Sequence, residues 1–237
     1  VCSNWTSHLR EAAALSEGQK SYNLAIDNLL QDAVVFIVDD DLGLCAALSD
    51  LLTSVGLRAL SFGSSVEYLE SPKPDVPSCL VLDVGLPDIN GLELQRRLAN
   101  GYHPPIIFIT DDADVRCSVR AIKAGAVDFL TKPFSTYELM TAIGAAIRQD
   151  IEVRRNVAET TRLQRRFSSL TPREREVLPL VVDGFLNKQA AAKLGISETT
   201  FQIHRSRVIR KMGAGSLAQL VRMAGKLPMR LPPSASL

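Results

Sequence analysis

"VVFIVDDD", residues 34–41, passes through five apolar residues and stops on Asp39, Asp40 and Asp41. A short run rich in β-branched and aromatic residues suits a buried strand. Three adjacent carboxylates at its end repel one another. Such a cluster persists where it is solvated or where a cation sits in it, and the rest of the chain decides between the two.

Four more apolar runs follow, at 59–62, 79–82, 106–110 and 126–130. Between them apolar residues recur three or four apart over 43–55, 64–70, 91–100, 115–124 and from 135 onward, which is the helical period. Strands alternating with helices predict a parallel sheet covered on both faces. In such sheets ligands bind outside the carboxyl ends of the strands. That rule gathers Asp39 and Asp40 (first run), Asp83 (third), Thr110 (fourth) and Lys132 (after the fifth) at one rim. An oxygen-only carboxylate set suits a hard cation such as Mg²⁺, which keeps most of its waters. A carboxylate beside Mg²⁺ and an ammonium can accept a phosphoryl group, because the cations neutralise the transferring oxygens. Taken singly, each residue has a bland reading: a solvated strand end, a loop cap, an ordinary strand threonine, a surface lysine. Asp41 reads as a solvated, helix-leading charge.

With "FIVDDD", "LVLDVGLPDINGLEL", "FIT" and "AGAVDFLTKPF" in order over residues 33–148, the chain resembles the receiver domain of two-component response regulators. The resemblance implies a flavodoxin-like, doubly wound, five-stranded parallel sheet of order 2-1-3-4-5. It implies that Asp83 is the phosphoacceptor and that Asp39, Asp40 and Asp83 form the Mg²⁺ site. Thr110 would be the switch hydroxyl, Phe129 the aromatic that follows it, and Lys132 the ammonium, with a cis Lys132–Pro133 bond. Asp111 and Asp112 depart from the small residues usual after the switch threonine. A rival, an Mg²⁺-dependent phosphatase with an aspartyl-phosphate, wants an acid two residues after its nucleophile; that position is Gly85.

The net charge of +1 hides a division. Residues 33–148 hold 15 acidic and 9 basic side chains, a balance of −6, whereas residues 149–237 hold 7 and 16, a balance of +9. Opposite signs predict two domains with different partners, and the basic half has the sign nucleic acid requires. No apolar run reaches the roughly 18 residues of a membrane span, and residues 1–32 lack the apolar segment of a signal peptide. Cys2, Cys45, Cys79 and Cys117 are widely spaced and read as core thiols of a cytoplasmic protein.

Residues 1–32 are read as an N-terminal extension, most simply a disordered leader, and 149–167 as a partly helical linker with a solvated face of arginines. From Thr171, "TPRE" carries an N-cap, proline at the first helical position and Glu174 to complete a capping box. Pro179 interrupts that helix, at a usual cost of about 3 kcal/mol unless the helix kinks. "NKQAAAKLGIS", a Gly195 turn and a helix over 198–212 form a helix-turn-helix. A last amphipathic helix precedes a tail, 228–237, read as disordered.

Residues 168–227 resemble a LuxR-type DNA-binding domain through "LTPREREVL", "NKQ", "LGIS", "HR", "KM" and "SLAQLVRMA". The second helix would enter the major groove of double-stranded DNA. Thr199, Gln202, Ile203 and Ser206 are assigned to the groove, and Lys188, Arg205, Arg207 and Lys211 to phosphates. Phe201, Val208 and Ile209 are assigned to the core, and His204 to structure or phosphate contact. The whole chain resembles a NarL/FixJ-type response regulator rather than an enzyme. A sensor histidine kinase would phosphorylate it, and a homodimer formed through 115–124 and 126–130 would bind DNA, with RNA polymerase as a candidate partner. An orphan regulator, independent of phosphorylation, is the alternative.

Overall fold

The computed structural model describes residues 32–111 and 115–227, so the expected leader, the tail and Asp112 lie outside the described residues. The chain divides into two compact units, Val1–Val153 and Arg154–Leu237.

The first unit is a five-stranded sheet of β1 (Val34–Val38), β2 (Arg58–Phe62), β3 (Ser78–Asp83), β4 (Ile106–Thr110) and β5 (Asp128–Thr131). The strands are all parallel, in the order β2-β1-β3-β4-β5. The three central strands are buried along their whole length, as their unbroken apolar runs require, while the edge strands β2 and β5 carry exposed positions. Side chains alternate between two apolar layers. Val35, Ile37, Val81, Ile107 and Ile109 pack against α1 (Leu42–Ser54) and the start of α5 (Thr136–Ser168). Val34, Phe36, Leu80, Leu82, Ile106 and Phe108 pack against α2 (Ser65–Glu70), α3 (Gly91–Leu98) and α4 (Val115–Lys123). Because every strand runs the same way, all five carboxyl ends open on one rim.

Two expectations shift. The last strand begins at Asp128 rather than 126, because Ala126 N–H still donates to Ala121 O at the end of α4, around a Gly125 turn with φ of +97°. Asp41 is the N-cap of α1, not merely a solvated charge: its carboxylate accepts from Gly43 N at 2.8 Å and Leu44 N at 3.1 Å. Cys45 and Cys79 are buried free thiols and Cys117 is half-buried.

The second unit packs the end of α5 with α6 (Pro172–Val182), α7 (Asn187–Leu194), α8 (Glu198–Met212) and α9 (Leu217–Gly225). Residues 149–167 are helical throughout, within α5. Those from Arg154 belong to the helical unit, where Leu163 is only 4% exposed among Val177, Phe201 and Leu220. The capping box forms as read, between Thr171 and Glu174, and α6 runs through Pro179. Gly195, with φ of +65°, ends α7, and Ser197 caps α8 through Thr200 N–H. Lys211 is not held out for phosphate: its ammonium lies 2.6 Å from the Glu174 carboxylate, which is 2% exposed, and also donates to Ser169 O. The hydrogen bond from Lys211 outweighs burial and holds Glu174 below the usual carboxylate range.

Two outcomes are expected in denaturation followed by helical circular dichroism. Leu163→Ala should cost the helical unit about 2–5 kcal/mol, and the exposed neighbour change Arg162→Ala less than about 0.5 kcal/mol; equal costs would make 154–168 a mere linker. Glu174→Gln should cost about 1–3 kcal/mol at neutral pH. Glu174's lowered value means that its stabilisation is complete above pH 4.5, its ordinary value, and is lost as pH falls through the lowered one. The Gln variant should lose that acid-side slope; an unchanged slope contradicts the pairing.

Candidate functional site

Four strand ends build the rim of the first unit. Asp39 follows β1, Asp83 ends β3, Thr110 ends β4, and Lys132 directly follows β5, with a cis bond to Pro133 after it. Lys132 Nζ donates to Asp39 Oδ2 at 2.7 Å and to Asp83 Oδ1 at 2.9 Å. Asp39 is 1% exposed, Asp83 5% and Thr110 5%. The second carboxylate oxygens are also held, Asp39 Oδ1 by Asp41 N–H and Asp83 Oδ2 by Gly85 N–H. Lys132 N–H donates to Thr110 O at 2.7 Å, which ties the lysine to the threonine's strand. Phe129 lies against Phe108, ring centroids 6.2 Å apart. The start of α3 sits close under Asp83: a Cβ at Gly91 would fall 2.4 Å from Asp83 O, so only glycine fits there.

Burial raises the Asp83 carboxyl above its ordinary value, although Lys132 pulls it the other way, and Asp39 adds repulsion. Burial also works against the Lys132 ammonium, but its hydrogen bonds to Asp39 and Asp83 prevail and hold it above its ordinary value. Asp111 Oδ2 is 3.9 Å from Lys132 Nζ, on a side chain that is 86% exposed, where the attraction is largely screened.

Asp39 and Asp83 meet at Lys132, whereas Asp40 is exposed, and among the described residues no three metal-ligating side chains form a cage. The donor set still fits Mg²⁺, whose sites use one or two carboxylates and several waters.

In the second unit Phe201, Val208 and Met212 bury one face of α8. Thr199, Gln202, Ile203, Ser206, Arg207 and Arg210 are exposed and line one shallow concavity on the opposite face. Arg210 was missing from the expected contacts, although it stands three and four residues after Arg207 and Ser206, the spacing that would have revealed it. Of the four cations assigned to phosphates, Lys188 and Arg207 are exposed. The other two face inward. Lys211 pairs with Glu174, and half-buried Arg205 donates to Asn187 Oδ1 at 2.7 Å, joining α8 to the first residue of α7. His204 is half-buried, and its Nδ1 is enclosed without a hydrogen-bond partner.

Among the described residues no helix is long and apolar enough to cross a membrane. Residues 35–144 match the response regulator receiver domain, and residues 168–224 match the bacterial regulatory proteins of the luxR family. Nodulation protein W of Bradyrhizobium diazoefficiens is 48% identical over 82% of this chain and 86% of its own. The solved structure of response regulator StyR superposes with a TM-score of 0.76 at 40% identity, covering 83% of this chain and 100% of StyR. That of full-length FixJ from B. japonicum gives 0.50 at 36% identity, over 81% of this chain and 96% of FixJ. A receiver sheet with its acid-and-lysine rim, followed by a LuxR-type helical unit in one chain, makes this protein a member of the NarL/FixJ-type two-component response regulators, transcriptional regulators that pair a receiver with a DNA-binding domain.

Proposed function

We propose that phosphorylation of Asp83 by a sensor histidine kinase switches this regulator between a weakly and a tightly DNA-binding state, and that the tight state is a homodimer. The observation that carries the reading is the Lys132 ammonium, held 2.9 Å from Asp83 and 2.7 Å from Asp39 at the carboxyl ends of the sheet. As the Asp83 carboxylate forms its bond to phosphorus, the donor's phosphorus–nitrogen bond breaks and its electron pair returns to the imidazole. Lys132 stays beside the acceptor and offsets the charge that arrives. Asp39, Asp40 and Asp83 are the residues that would hold Mg²⁺, which supplies further neutralisation of the phosphoryl oxygens. Thr110, buried at the end of the strand next to β3, is proposed to donate its hydroxyl to the phosphoryl group, with Phe129 following it. A phosphoryl group shifts a two-state equilibrium only through contacts it makes better in one state, and Thr110 and Lys132 are placed to differ.

The dimer surface is proposed on α4 and β5, where Val119 and Ile122 are each 46% exposed. Two helical units on paired half-sites bind far more tightly than one. In each, Thr199, Gln202, Ile203 and Ser206 would read the major groove, while Lys188, Arg207 and Arg210 meet phosphates and fix the register. The division of labour between residues 33–148 and 168–227, and a cytoplasmic location beside the DNA, belong to the same proposal.

Molar mass from light scattering, with and without acetyl phosphate, tests it. The wild type should double its mass with the donor. Asp83→Asn should neither take up label nor double. Thr110→Ala should take up label without doubling. A labelled wild type of unchanged mass and unchanged DNA affinity would favour a regulator that works without phosphorylation.

A further inference from the structure

The residues read as linker reach the recognition helix itself. Arg166, near the end of α5, donates from Nη1 to Met212 O at 2.7 Å, on the last residue of α8. Carbonyls in the last turn of a helix lack partners within it, and that end carries partial negative charge, so a guanidinium there is doubly favourable. The next residue, Gly213, ends α8 with φ of +66° and leaves room for the same guanidinium. A Cβ on it would lie 2.7 Å from Arg166 Nη1 and 2.8 Å from Cζ. Glycine suits the left-handed turn, and any side chain there would have to displace the guanidinium above it. The base of the arginine is anchored: Leu163 is buried, Phe167 packs against the same core, and Glu159 pairs with Lys226 at 2.8 Å.

We propose that Arg166 is a positioning residue for DNA binding: it holds the carboxyl end of α8 and so sets how the exposed Thr199–Gln202–Ser206–Arg210 face is presented. The inference rests on the reading of α8 as the helix that meets DNA. Arg166 touches no base and no phosphate in it. The charges that face α8's last turn are shared between Arg166, on Met212 O, and Glu174, on Lys211; the first orients the helix end, and the second pins its flank to α6.

The test uses the full-length chain with two duplexes, one of random sequence and one enriched from a random pool by the wild type. Arg166→Ala should lower affinity for the enriched duplex about tenfold, and less for the random one, while the slope of affinity against salt is unchanged because no phosphate contact is lost. Helical circular dichroism at the assay temperature should match the wild type. Arg166→Lys should recover part of the loss, since an ammonium can still donate to Met212 O. Gly213→Asn is a second route to the same effect: asparagine tolerates the left-handed backbone but displaces the guanidinium. Combined with Arg166→Ala it should add little further loss. An equal loss on both duplexes with a salt slope shallower by about one would make Arg166 a phosphate contact and overturn the proposal. Unchanged affinity in Arg166→Ala, or fully additive losses in the double variant, would overturn it as well. A wild type that binds neither duplex would remove the DNA-binding reading, and this inference with it.

Discussion

Two buried carboxylates share one ammonium, and the receiver sheet is arranged around that fact. Asp39 and Asp83 lie buried at the ends of adjacent central strands, where both share the Lys132 ammonium as a hydrogen-bond donor. Lys132 reaches both from beyond the edge strand β5. The three groups together carry one net negative charge. That residual charge is what a hard cation would neutralise before a phosphoryl group, itself strongly negative, could approach. The same arrangement explains why parallel order matters: only strands that all end at one rim can bring residues 39, 83, 110 and 132 together from so far apart in the chain.

The basic second half is less uniformly a DNA surface than its net charge of +9 implies. Arg205, Lys211 and Arg166 are turned inward, to Asn187, Glu174 and the Met212 carbonyl. Each makes a hydrogen bond within the helical unit, whereas Lys188, Arg207 and Arg210 are among the exposed cations.

Much of this was legible in the sequence, for identifiable reasons. The receiver rim could be read because strand ends are marked by abrupt changes from apolar runs to Asp39, Asp83 and Thr110, and because parallel sheets send such ends to one side. The exposed face of α8 could be read because the helical period separates Thr199, Gln202 and Ser206 from buried Phe201, Val208 and Met212. The fate of individual cations could not. Lys211 follows Arg210 by one position, about 100° around the helix, and only the buried Glu174 on a different helix decides which of them faces inward. Leu163 stood alone among polar neighbours in the 149–167 stretch, and a single leucine has no period. The exposed position of Asp40 likewise depends on the chain's path after β1, which adjacent aspartates do not encode.

The most direct test of the central claim is to find where the phosphoryl group goes. Wild-type chain treated with acetyl phosphate and Mg²⁺, trapped by borohydride reduction and mapped by peptide mass, should carry the reduced residue at position 83 and nowhere else. Reduction at Asp39, Asp40 or Asp111 instead, or no reduced residue under conditions that keep the chain folded, would contradict the account of Asp83 as the acceptor held beside Lys132.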